Sequence, residues 1–139
     1  AVACENADLV LTVTPARKPI VEAKDVSRNT TILAVGSDGP DKQELDVAIL
    51  AEADKVVVDN LSQCLALGEV HHAVAAGRMS EDDVHAELGD VLAGKKAPRD
   101  GDELIVCDLT GVGAQDAAMV AKVCQVLPLP SSKASGRSD

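Results

Sequence analysis

Thr30-Thr31-Ile32-Leu33-Ala34-Val35, followed at once by Gly36-Ser37-Asp38-Gly39-Pro40, decides how this chain is read. The six leading residues are apolar or β-branched, too short a run for a buried helix and without the polar alternation of a half-exposed strand. They predict a strand covered on both faces. The glycines and the proline stop it in a turn.

The same kind of run recurs on either side. Asp8-Leu9-Val10-Leu11-Thr12-Val13-Thr14 predicts a strand ended by Pro15, Lys55-Val56-Val57-Val58 a third, and Glu103-Leu104-Ile105-Val106-Cys107 a fourth. The residues between Pro15 and Thr30 read as a polar turn. Helical patterns alternate with the strands. Asp46 is placed to cap a helix over Val47 to Ala53. Leu61, Cys64 and Leu65 stand at i, i+3, i+4. Behind Ser80-x-x-Asp83, which resembles a capping box, Val84, Leu88, Val91 and Leu92 share one helical face that Gly94 ends. Thr110-Gly111-Val112-Gly113 turns the chain into a last helix, Ala114 to Val126, stopped by Pro128 and Pro130. Residues 128–139 read as a polar, disordered tail. Strands alternating with helices predict an α/β fold, a mostly parallel sheet of about four strands with flanking helices.

Composition narrows the function. The 139 residues suit one domain, and the net charge of −10, from 13 basic and 23 acidic side chains, excludes a clustered basic surface for nucleic acid or an anionic membrane. No apolar run approaches a membrane span, and Ala1 to Asp8 does not read as a signal peptide. Cys4, Cys64, Cys107 and Cys124 lack metal spacing. The last three sit in apolar stretches and read as small buried thiols in a reducing cytoplasm. The chain has no Phe, Tyr or Trp. Val, Ala and Leu must fill the core, which is therefore expected to be thin, a hint that the chain is not a self-sufficient domain.

In an open α/β sheet, ligands bind at the carboxyl ends of strands. Three such ends offer hydroxyls, carboxylates and glycines: Thr12-Val13-Thr14-Pro15, Val35 to Pro40, and Asp108 to Gly113. Gly111-Val112-Gly113-Ala114-Gln115-Asp116 nearly matches G-x-G-x-x-G, but Asp116 replaces the third glycine and no strand with an acidic ribose ligand follows, so it reads as a strand-to-helix turn. Asp38 reads either as an aspartate bonded to its own turn or as a partly buried carboxyl with a raised pKa, able to exchange protons with a substrate. His71 and His72 point in different directions, and His85 with Glu81 lacks a third ligand. Solvated helix residues are the expectation, with no metal.

Ala34-Val35-Gly36-Ser37-Asp38-Gly39-Pro40-Asp41-Lys42-Gln43-Glu44-Leu45-Asp46 is similar to the A-V-G-x-D-x-P-x-K-x-E-L-D segment of ornithine cyclodeaminase/mu-crystallin proteins. Thr12 to Arg17, Val57-Val58-Asp59, Ala86 to Gly94 and Asp108 to Asp116 resemble further family segments in the same order. The resemblance implies that residues 1–127 are the C-terminal part of a Rossmann-type NAD(P)-binding domain. The glycine fingerprint, the ribose-binding acid and the substrate-binding Arg and Lys of the family lie upstream of the matching segments and are not in this chain. By the resemblance, Asp38 is the catalytic acid/base and needs a pKa nearer neutrality. It should lie beside Thr12 and Thr110 and not in open solvent. Thr12, Val35, Gly36, Ser37, Asp38, Lys42 and Leu109 contact NAD, with NADP the alternative, and Asp38 and Thr110 contact substrate. Leu109 stands where the family commonly has Ser. His85 and Cys107 occupy positions that are often aromatic.

The implied activity is the deaminating cyclisation of L-ornithine to L-proline with release of ammonia. Ketimine reduction and alanine dehydrogenation are the family's alternatives, and a non-catalytic mu-crystallin-like binding or structural role is an alternative of another class. The implied partner is a small amino acid or cyclic imine, and the complete protein is a homodimer. Without the upstream segments the isolated chain is expected to be inactive and to bind NAD(H) weakly or not at all.

Overall fold

A computed structural model describes residues 4–127; the expected tail, 128–139, lies outside the described residues. The elements are β1 (Leu9–Thr12), β2 (Arg17–Val21), β3 (Thr31–Ala34), β4 (Gln43–Leu45), α1 (Val47–Glu52), β5 (Lys55–Val58), α2 (Leu61–Cys64), α3 (Gly68–Ala75), β6 (Ala86–Glu87), α4 (Leu88–Leu92), β7 (Ile105–Asp108) and α5 (Gly113–Val126). The main sheet is parallel, in the order β1-β3-β7-β5-β6, and β2 pairs with β4 in a separate two-stranded sheet. This is a partial Rossmann-like α/β fold.

The four predicted strands are present, and the fifth strand of the main sheet corrects the expected number. The expected helix from Val84 to Leu92 does not form as one piece. Ser80 and Asp83 do bond reciprocally, but they cap only one 3-10 turn, Glu81–Asp83. The His85 amide then donates to the Val56 carbonyl at 2.8 Å, and Ala86 and Glu87 pair with β5. Sheet pairing captures backbone that periodicity assigned to a helix, and α4 starts only at Leu88. The supposed polar turn before Thr30 contains β2, whose first four residues are exposed and leave no apolar pattern to read.

Register explains the core. Val10, Ile32, Val106 and Val56 align across β1, β3, β7 and β5, as do Thr12, Ala34, Asp108 and Val58. Because side chains alternate along a strand, these eight share one face of the sheet, and all eight are buried. The core on this side is aliphatic, with Leu45, Ile49, Leu50, Val70 and Ala73 joining from β4, α1 and α3. Asp46 starts α1 by accepting the Ala48 amide at 2.9 Å, as its cap position predicts.

The opposite face is unequally covered. Val57 and Ile105 are buried, whereas Leu9, Leu11 and Val13 are 59%, 60% and 62% exposed. The expectation of strands covered on both faces therefore fails at β1. Every residue of α5 is exposed, and Cys124 on that helix with it, which corrects its assignment as a buried thiol; Cys64 is buried and Cys107 half-buried. Among the described residues, no helix is long and apolar enough to cross a membrane.

Candidate functional site

Parallel strands end their carboxyl tips together, and here the last paired rung is Thr12, Ala34, Asp108 and Val58. Beyond it the Val35 amide donates to the Thr12 carbonyl at 2.9 Å and the Leu109 amide to the Ala34 carbonyl at 2.8 Å. The ladder thus brings Thr12, Val35, Gly36, Ser37 and Leu109 to one edge of the sheet. The Thr12 hydroxyl is buried there and has no hydrogen-bond partner among the described residues, and neither does Asp108 Oδ1. A buried hydroxyl without a partner is costly. It marks a place where a bound polar group would restore a lost bond.

The turn after β3 is built from inside. Glu44, on β4, is fully buried and accepts the Thr14 amide on Oε1 at 2.6 Å and the Gly36 amide on Oε2 at 2.8 Å. A Cβ at residue 36 would stand 2.4 Å from the Thr14 carbonyl oxygen and 2.5 Å from the Glu44 carboxyl, so only glycine fits. Ser37 is buried too. Its hydroxyl donates to the Lys42 carbonyl at 2.5 Å, which also bonds His72 Nε2 at 2.7 Å. The expected cofactor contact of Ser37 is therefore left to its backbone, because the hydroxyl is occupied within the loop.

Asp38 departs from expectation. Its side chain is 57% exposed and forms an ion pair with Lys42 four residues on. The hydrogen bond from the Lys42 ammonium, aided by its charge, holds the Asp38 carboxyl below its ordinary range against the opposing effect of desolvation. The expected partly buried carboxyl with a raised pKa is not what this chain holds. The glycine turn carries Asp38 past the covered part of the sheet, and Lys42 reaches back to it.

A second polar group lies beside the β7 tip. Thr110 is buried and donates its hydroxyl to Asp59 Oδ1 at 3.1 Å while accepting from Gln63 Nε2 at 2.9 Å, so the hydroxyl assigned to substrate is held inside the protein. Asp59 Oδ2 accepts the Gly111 amide at 2.7 Å. Burial, with the nearby Asp108 charge, pushes the Cys64 thiol up to about 12, and its Sγ lies 3.4 Å from Asp59 Oδ1. An adjoining cleft of about 310 Å³ runs between α4 and the start of α5, past Leu88, Leu92, Val112 and Gln115. Among the described residues, no His, Cys, Asp and Glu cluster could hold a metal ion.

Residue-by-residue reasoning took Asp108 only as part of a strand tip and passed over Glu44 and Glu69. All three are fully buried. Burial raises Glu69 to about 7 and Asp108 to about 6, against the lowering effect of the amides that bond them. Asp108 ends an apolar strand and was legible as a strand-tip carboxylate. Glu44 and Glu69 carry no local signal of burial.

The sequence model of the ornithine cyclodeaminase/mu-crystallin family matches residues 1–127. Alanine dehydrogenase of Archaeoglobus fulgidus is 51% identical over 117 residues, 84% of this chain and 36% of its own length. A solved archaeal alanine dehydrogenase dimer with bound NAD superposes with a TM-score of 0.77 at 50% identity, covering 84% of this chain and 36% of that one. The iminosuccinate reductase of Paracoccus denitrificans, solved in complex with NAD+, superposes with a TM-score of 0.80 at 38% identity, over 88% of this chain and 38% of that one. The chain spans about a third of the length of the relatives it matches.

Proposed function

The chain belongs to the ornithine cyclodeaminase/mu-crystallin family, and from that premise we propose that residues 1–127 are the C-terminal part of an NAD(P)-binding domain whose complete protein carries out redox chemistry on a small 2-amino or 2-imino acid. The observation that carries this reading is the carboxyl edge itself. An unpartnered, buried Thr12 hydroxyl sits beside a turn that only Gly36 can make, at the strand tips where α/β sheets take nucleotides.

The residues fit a nicotinamide cofactor in one defined sense: they form the edge for its ring and not a cradle for its pyrophosphate. Thr12 would supply the hydroxyl, Val35, Gly36 and Ser37 the turn against which the ring lies, Leu109 an apolar wall, and Lys42 a cation nearby. NAD is favoured over NADP by the NAD-bound relatives. The bound cofactor supplies hydride transfer. Asp38, ionised and paired with Lys42, is a proton acceptor. To donate a proton it must first leave Lys42 and lose water, since either change raises its pKa. Thr110 would shape the substrate side through its backbone, since its hydroxyl stays on Asp59 and its methyl lies against Gly68.

Alanine dehydrogenase and iminosuccinate reductase among the relatives favour redox at the α-carbon of a short amino or imino acid over the cyclisation of ornithine. The archaeal relative's dimer supports a homodimer for the complete protein. In the complete protein containing this segment, Asp38→Asn is expected to lower kcat at least about a hundredfold while the Kd for NAD+ changes less than about threefold. Unchanged turnover removes Asp38 from the reaction.

A further inference from the structure

Three carboxylates are fully buried beneath the carboxyl edge, and among the described residues none of them forms an ion pair with a cation. Buried charges are ordinarily paired. Here backbone amides take the place of the cations, and the bonds run in series. Asp108, at the tip of β7, accepts the Val70 amide in the first turn of α3 at 2.9 Å through Oδ2. Next to Val70 on the same turn, Glu69 accepts the Glu44 amide at 2.7 Å and the Leu45 amide at 3.2 Å, one on each oxygen. Glu44 in turn accepts the Thr14 and Gly36 amides, again one on each oxygen.

The last link does what the sheet cannot. Pairing between β1 and β3 ends with the Val35 amide on the Thr12 carbonyl. Past that point the two tips stay close, since a Cβ at Gly36 would stand 2.4 Å from the Thr14 carbonyl oxygen, and the Glu44 carboxylate bonds one amide of each tip. Space is specified along the whole path. A Cβ at Gly36 would strike Glu44, and one at Gly68, whose φ is +78°, would lie 2.6 Å from Asp108 Oδ2. The series leads from β7 through α3 and β4 to the backbone that forms the cofactor edge.

We propose that Asp108, Glu69 and Glu44 act in series as positioning residues, fixing the Thr14 and Gly36 backbone and so the shape of the edge that takes the nicotinamide. The last step of this rests on the function proposed above; the mechanical coupling does not. A carboxylate is needed at Glu69 and Glu44 because both oxygens accept an amide N–H, and a glutamine would turn an NH2 toward one of them. Asp108 differs. Only Oδ2 is bonded, so an asparagine fits with its amide nitrogen at the unpartnered Oδ1 position. Glu69 is faced by Asp108 from β7 and by Glu44 from β4, and both charges raise it. Asp108 is faced by Asp59, whose charge raises it, and by Cys64, whose thiol lies 3.6 Å from its backbone carbonyl.

The test uses the full chain, with amide hydrogen exchange and pH titration followed by NMR. In the unsubstituted chain the Thr14 and Gly36 amides, which do not touch Glu69, are expected to shift together with those of Glu44 and Leu45, with a midpoint near 7. Asp108→Asn is expected to remain folded and to move that midpoint down, because it removes the charge beside Glu69. Glu69→Gln is expected to speed exchange at Thr14 and Gly36 by about tenfold or more, the loss of one buried bond. In the complete protein, the same substitution should raise KM for NAD+ about tenfold and leave kcat within about threefold. Thr14 and Gly36 amides that do not titrate, or an Asp108→Asn midpoint that does not move, overturns the series. Coupling that is present with an unchanged KM for NAD+ overturns its link to the cofactor edge and counts against the function proposed above.

Discussion

The two faces of the central sheet are built from the same strands and differ in almost everything else. On one face Val10, Ile32, Val106 and Val56 meet α1 and α3 and are closed from water. On the other, Leu9, Leu11 and Val13 stand more than half exposed along β1, and α5 packs none of its residues away. Exposed apolar area of this kind marks a contact surface. The helix-covered face organises the candidate site, since all three carboxylates of the series lie on that side, while the β1 end of the other face has no covering among the described residues.

The largest contrast should appear in thiol chemistry. Cys124 on α5 is exposed, and Cys64 is fully buried with its thiol held protonated. Alkylation of Cys124 at pH 8 is expected to outpace that of Cys64 by at least about a thousandfold, because Cys64 must wait for an opening of the fold. Comparable rates, read by mass spectrometry of the labelled peptides, would show that the covered face is not closed.

Stability gives the next contrast. Ile32→Ala, at a fully buried position, should cost about 3 kcal/mol. Leu11→Ala, one strand away on the open face, should cost less than about 0.5 kcal/mol. Urea titrations of both variants measure the difference, and equal losses would contradict the assignment of the faces.

A third effect belongs to the covered face alone. Folding raises Glu69 from 4.5 to about 7 and Asp108 from 3.8 to about 6. A carboxyl raised on folding binds more protons folded than unfolded between its two pKa values, so its contribution is whole below the unfolded value and is lost as pH rises through the folded one. Asp38, Asp54, Asp83 and Glu103 are lowered on folding and oppose this only once the pH approaches 4. From pH 8 to pH 5 the chain should therefore gain stability, on the order of 4 kcal/mol, from about two pH units of Glu69 and one of Asp108. A Tm that falls over this range would sharpen the comparison against us.

Much of the fold was legible in the sequence. β1, β3, β5 and β7 announce themselves as short apolar runs, because a doubly covered parallel strand needs no polar alternation. β2, β4 and β6 did not, the first because only Val21 is buried, the other two because three and two residues carry no period. At the site, the ladder brings Thr12, Val35, Gly36, Ser37 and Leu109 to one edge of the sheet, as the strand tips implied. For Asp38 the structure favours the reading of an aspartate bonded within its own turn, here through Lys42, over that of a partly buried carboxyl with a raised pKa. Glu44 and Glu69 were illegible for a different reason. Their burial depends on β4 and α3 meeting over the sheet, which no local pattern encodes.

Adding NAD+ to millimolar concentration to the nitrogen-15-labelled chain, and following its amide resonances, tests the central claim most directly. We expect weak, fast-exchanging shifts concentrated at Val13, Val35, Gly36, Ser37 and Leu109, at the tips of β1, β3 and β7. Shifts confined to α5 or to the opposite ends of the strands would contradict the placement of the nicotinamide edge.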